Sequence, residues 1–206
     1  MNKPLKRTTQ KKLDELIASG VTNFSYRDLS GLNFSSLYMA CFNFEGANLR
    51  GAIFWKTNLQ HTNFTGANLT RAILTEADLT AANLRGAIVQ EVNLIGANLT
   101  GADLEEASLW VANCISCIFT EANLTGADLE GADLREAILR EANFNGANLM
   151  LANLMLACLR GANLQEAYIS EANLEGADFE GANLKEADFT KAINLQKAIN
   201  LILPQT

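Results

Sequence analysis

From Phe24 to Phe189 every fifth residue of the chain is a large apolar residue or a cysteine, 34 positions in unbroken register. Twenty-one are Leu and nine are Phe, and Met39, Val89, Cys114 and Ile169 complete the series. A period of five matches neither the 3.6 of a helix nor the 2 of a strand, and an exact short repeat predicts a solenoid. Two residues before each of these centres, from Ala47 to Ala187, 25 of 29 positions are Ala. One residue before, 25 of 34 are Asn or Asp. The two residues after a centre are mostly Thr, Glu, Arg, Gln or Gly. The large centre and the small Ala suit one inward face. Only a chain that turns a corner about every five residues keeps both inside.

The unit Ala-(Asn/Asp)-Leu-x-x is clear in Ala97-Asn98-Leu99, Ala102-Asp103-Leu104 and Ala182-Asn183-Leu184. It resembles the consensus of the pentapeptide-repeat proteins, over about residues 22 to 192. The resemblance implies an all-β solenoid: a right-handed quadrilateral parallel β-helix with four pentapeptides per coil. Thirty-four units then make a rod on the order of 40 Å long. With four units per coil, like stacks on like: Phe24, Phe44 and Phe64 on one face, Phe34 and Phe54 opposite.

The ends depart from the repeat. Leu13, Leu16 and Ile17 form a stripe at helical spacing, with Thr at the start and Gly20 suited to a C′ position. This predicts a capping α-helix over about residues 9 to 19. The first coil is atypical, with Thr22, Arg27, Leu32, Leu37 and Phe42 in place of Ala, as capping repeats tend to be. At the other end Ala192-Ile193-Asn194-Leu195 and Ala198-Ile199-Asn200-Leu201 carry one residue too many. Leu201-Ile202-Leu203 is expected to fold over the last coil or to meet a second copy. The expected division is a basic segment with the capping helix (1–20), the repeat array (21–192) and a C-terminal cap (193–206).

The 206 residues carry a net charge of −7. That argues against direct nucleic-acid binding through phosphates and permits a basic partner. A local exception is the cluster Lys3, Lys6, Arg7, Lys11 and Lys12, a solubilising tail or an arm for an acidic surface. No apolar run approaches the roughly 18 residues of a membrane span. The N-terminus lacks the apolar core of a signal peptide, so the expected setting is the cytoplasm. Cys114 and Cys117 fall on inward positions and are read as core filling; Cys41 and Cys158 fall on outward ones.

Nothing groups into a catalytic or metal site. There is one His, at position 61, and the carboxylates lie along polar faces. The Asn and Asp positions follow the repeat, which points to turn and ladder hydrogen bonding rather than calcium. The Gly residues sit at corners, where a turn needs them. Neither enzymatic activity nor a cofactor is expected.

Outward positions carry what remains. Trp110, Val111, Met150 and Leu151 follow centres on one face, and Ile95, Ile115, Met155 and Leu156 follow centres on the next. Glu130 and Arg135 lie between them in the same columns. These eight apolar residues are the candidate interaction patch, with Trp55 as a possible extension. A second outward stripe is Ile118, Ile138 and Cys158. The reading is a rigid, non-enzymatic scaffold for a protein partner or a second copy of itself. The alternative, implied by the family resemblance, is a DNA mimic that binds a type II topoisomerase. It draws on Glu166, Glu171, Glu175, Glu180 and Glu186 in the last third.

Overall fold

A computed structural model describes residues 7–203. The chain winds into a stack of 20-residue coils. Parallel bridges join each residue before a centre to its counterpart twenty residues on, from Asn23↔Asn43 through Asn173↔Ile193. Four such columns run along the stack, one per side.

The pentapeptide accounts for its own backbone. In the unit around Leu99, Asn98 N–H donates to Ala77 O in the coil before at 3.0 Å. Leu99 N–H and Gly101 N–H donate to Ile118 O and Thr120 O in the coil after, at 2.7 and 2.9 Å. Ala102 N–H closes the turn on Leu99 O at 3.0 Å. The fifth donor, Thr100 N–H, is accepted by the Asn98 side chain at 3.1 Å. Buried or not, every N–H of the unit is met, which is the reason for Asn or Asp at this position. The same side chains also form a ladder between coils, as in Asn163 Nδ2 to Asn143 Oδ1 at 2.8 Å. The turn and ladder reading of the sequence therefore holds.

The turn is left-handed at every corner. The second residue after each centre has φ between 52° and 71°. Thirteen of these corners are Gly and twenty-one carry a side chain. The Gly residues do sit at these corners as expected, but the turn does not require them: Gly is the least strained solution, and Glu is the commonest substitute.

The core is a narrow shaft of centres and Ala, almost wholly buried. Phe34 and Phe54 stack at 4.5 Å between centroids and Phe44 and Phe64 at 5.2 Å, nearly parallel. The two columns meet edge to face, Phe44 to Phe54, at 6.0 Å. Thr57 and Thr62 stand in for Ala without penalty, because their hydroxyls donate to Phe34 O at 2.8 Å and Met39 O at 3.0 Å. Cys117 does the same toward Leu94 O at 2.8 Å.

Helix α1, Gln10–Ala18, covers the first coil with Leu13 fully buried. Thr9 caps it, accepting from Lys12 N–H at 3.3 Å. Gln10 anchors the helix start, exchanging two hydrogen bonds with the Asn33 backbone at 2.8 and 2.9 Å. At the far end the stack continues through Ile193 and Ile199, which bridge Asn173 and Asp178. The extra residue is taken up between them, where Asn194 adopts φ 58° and Leu195–Lys197 form a 3₁₀ turn. Leu195, Ala198 and Leu201 pack on the core, whereas Ile202 and Leu203 are exposed. Lys3 and Lys6 of the basic cluster, and the final three residues of the expected cap, lie outside the described residues.

Candidate interaction surface

The two residues after a centre occupy the corner between one side of the rod and the next. Trp110–Val111 and Met150–Leu151 therefore lie on one corner, and Ile95, Ile115 and Met155–Leu156 on the next. Trp110 is 41% exposed, Val111 45%, Leu151 53% and Leu156 57%. Ile95, Ile115, Met150 and Met155 are half-buried.

The structure does not make these eight residues one unbroken patch. The coil between the two groups places Glu130–Gly131 and Arg135–Glu136 on the same corners. Arg135 lies along its own rung, Nη2 to Asp133 Oδ2 at 2.7 Å and Nε to Asp133 Oδ1 at 2.9 Å. That hydrogen-bonded pairing holds the Arg135 guanidinium above its ordinary pKa. The second outward stripe continues through this coil. Ile118, Ile138 and Cys158 bridge one another on the side adjoining the second corner. They keep an apolar line through the polar coil, from beside Ile115 to beside Met155 and Leu156. The twenty-residue column arithmetic contained this adjacency, but only across a corner.

These positions are costly to the fold. Val111, Leu151 and Leu156 sit in the left-handed region with φ of 53°, 60° and 59°. An L-residue there costs roughly 1–2 kcal/mol, and Val111 is the only β-branched residue among the 34 left-handed second positions. Where Ile118 and Ile138 replace Asn, the hydrogen bond to the next corner N–H is forgone as well. The side chains lean along the rod: Val111 Cγ2 and Leu156 Cδ2 lie over the Gly131 and Gly176 corners of the following coil.

The acidic last third is not a bare anionic face. Glu171 pairs with Lys191 at 3.7 Å, Glu175 with Lys197 at 2.7 Å, Glu180 with Arg160 at 2.9 Å and Glu186 with Lys185 at 3.4 Å. Cys114 and Cys117 are fully buried as expected, Cys41 is exposed and Cys158 half-buried. Hydrogen bonding to Cys117 and burial push the Cys114 thiol well above its ordinary pKa. Among the described residues no three His, Cys, Asp or Glu side chains come together as metal ligands. Nor is any helix long and apolar enough to cross a membrane.

A family model described as Pentapeptide repeats matches the chain in eight copies, within residues 22–55, 43–80, 56–90, 77–109, 117–154 and 157–193. The chain belongs to the pentapeptide-repeat family. Among solved pentapeptide-repeat structures it is similar to HetL from the cyanobacterium Nostoc sp. strain PCC 7120, a protein involved in heterocyst differentiation regulation. The identity is 34%, over 94% of this chain and 95% of HetL, with a TM-score of 0.50. It is also similar in fold to a trypsin-treated form of QnrB1, a plasmid-mediated fluoroquinolone resistance protein. There the identity is 19%, over 80% of this chain and 91% of QnrB1, with a TM-score of 0.55. No curated protein matches the chain in sequence. The pentapeptide-repeat match is to a family of structural and binding proteins, and no catalytic family is indicated.

Proposed function

We propose that the rod is a rigid, non-enzymatic interaction module, formed by residues 21–192, that offers its apolar corners to a protein partner. The observation that carries this reading is the set Val111, Leu151 and Leu156: large, exposed, apolar and held at φ of 53–60°. Twenty-two of the other corners hold Gly or Glu, which serve the fold there with less strain or better solvation. Trp110 beside them supplies the kind of aromatic anchor that dominates interfaces. The likeness to HetL along nearly its whole length supports a regulatory setting and a cyanobacterial origin. An exposed Cys41 thiol suits the reducing cytoplasm. Right-handed winding, the sense implied by the family, belongs to the same reading.

The test is affinity capture from the native cell with wild type, Trp110→Ala and Met150→Ala, beside sedimentation of the purified protein. A partner retained by wild type and lost by both variants supports the module. Wild-type monomers with no partner sensitive to either change would sink it, and dimers dispersed by both changes would make the second copy the partner. The topoisomerase-binding DNA mimic is the alternative. It is disfavoured by the cations that pair four of its five C-terminal acids. Inhibition or protection of gyrase in a supercoiling assay would restore it.

A further inference from the structure

The joint between α1 and the first coil reverses the chain's acidic character. A cavity of about 420 Å³ opens there, lined by Arg7, Thr8, Thr9, Lys12, Tyr26 and Arg27. Arg27 is the informative residue. It stands where the later coils hold Ala, so its side chain starts from an inward position. It is half-buried, and its guanidinium lies over the Phe24 ring at 5.6 Å from the centroid. Among the described residues no carboxylate pairs with it. A part-buried cation without an anion is costly, and stacking on one ring offsets only part of that cost.

Three further observations point the same way. The N–H groups of Gln10 and Lys11, in the first turn of α1, have no acceptor among the described residues, and that turn holds no acidic residue. Thr8 is only 9% exposed and lines the cavity, and its hydroxyl meets no partner among the described residues. Nearby acids are already engaged. Glu45 accepts from the Tyr26 hydroxyl at 2.5 Å, and Asp28 accepts from Ser30 N–H at 3.1 Å and Asn48 Nδ2 at 3.0 Å. Lys12 holds only an exposed pair with Glu15, at 3.2 Å, which a stronger anion can displace.

We propose that this joint is a binding site for a phosphoryl dianion, held by the Arg27 and Arg7 guanidinium groups, Lys12, the Thr8 hydroxyl and the open N–H groups of α1. A planar guanidinium matches two phosphoryl oxygens at once, and a helix N-terminus favours negative charge. The site is at the end of the rod, away from the apolar corners, so it does not depend on the interaction reading. A free phosphate compound and a lipid headgroup share this chemistry.

The full chain is titrated calorimetrically with inorganic phosphate and with pyrophosphate, at ionic strength held constant with chloride. The variants are Arg27→Ala, which restores the residue used by the array and so leaves the coil able to form, and Arg140→Ala as a control cation elsewhere. Saturable one-to-one binding, weakened at least about tenfold by Arg27→Ala and unchanged by Arg140→Ala, is the expected result. Absence of saturation up to about 10 mM, or equal losses in both variants, overturns the site. Vesicles of phosphatidic acid in phosphatidylcholine separate the sources. Retention that Arg27→Ala abolishes assigns a lipid headgroup; phosphate binding without retention assigns a soluble ligand. Circular dichroism and melting of Arg27→Ala check that its coil is intact.

Discussion

Leu156→Lys separates a docking residue from a packing residue. Complete burial of a Leu side chain is worth about 1.5–3 kcal/mol. At 57% exposure Leu156 realises less than half of that, about 1 kcal/mol. The left-handed corner imposes no new cost, because Lys56 and Lys191 already occupy it with φ of 53° and 56°. The new ammonium gains a partner in Glu136, one coil below, in the arrangement of Lys191 and Glu171 at 3.7 Å. Such an exposed pair returns about 0.2–1 kcal/mol. Stability in urea is therefore expected to stay within about 1 kcal/mol of wild type. Partner binding is expected to fall about thirtyfold, the effect of losing an interface hot spot worth about 2 kcal/mol. A stability loss above about 2 kcal/mol would show that Leu156 holds the fold and not a partner. Unchanged binding with unchanged stability would show that it does neither, and the docking argument would fail with it.

Other outcomes follow from the core, the ends and the cysteines. Phe54→Ala removes one ring of two stacked columns and should cost about 3–5 kcal/mol, read from chemical unfolding. Thr57→Ala should cost less than about 1 kcal/mol, since Phe34 O keeps a backbone donor in Leu37 N–H at 3.3 Å and Ala is the residue of the array. Asp178 is held below its ordinary pKa first by its hydrogen bond from Arg160 (2.6 Å) and then by that from Asn200 (2.9 Å). A depressed carboxylate stabilises the fold above its unfolded pKa of about 3.9 and loses this contribution as pH falls through its folded value. Hydrogen exchange of the segment around Ile199 should accelerate in that acid range, and Asp178→Asn should remove this pH dependence. Iodoacetamide should label Cys41 in the native protein and reach Cys114 and Cys117 only on unfolding, as peptide mass spectrometry would show.

The inward half of the molecule was legible because a strict repeat ties each position to one environment. Phe34 over Phe54 and the Asn163–Asn143 ladder are both consequences of twenty residues per coil. The capping helix was legible from the Leu13, Leu16 and Ile17 stripe. The corner conformation was not. Sequence pattern suggests Gly for a left-handed turn, yet Glu and even Val111 occupy it, because stacked coils on both sides impose the turn whatever the side chain. The surface was half legible: the exceptions were visible, but the apolar line of Ile118 and Ile138 beside them lies around a corner rather than along one column.

The sequence alone determined the solenoid, its period and its core, since a residue repeated every coil has only one place to go. Tertiary structure decided what happens where the repeat is broken. It split the apolar corners with the Arg135 coil and ran an apolar line past that coil on the side beside the second corner. It neutralised the acidic last third with lysines and an arginine from adjacent positions and coils. It also turned Arg27, an anomaly at an Ala position, into the wall of a basic cavity under the capping helix. Ion pairs such as Glu171–Lys191 and Glu180–Arg160, and the stacking of one corner on the next, join residues about twenty apart, which only the closed coil brings together.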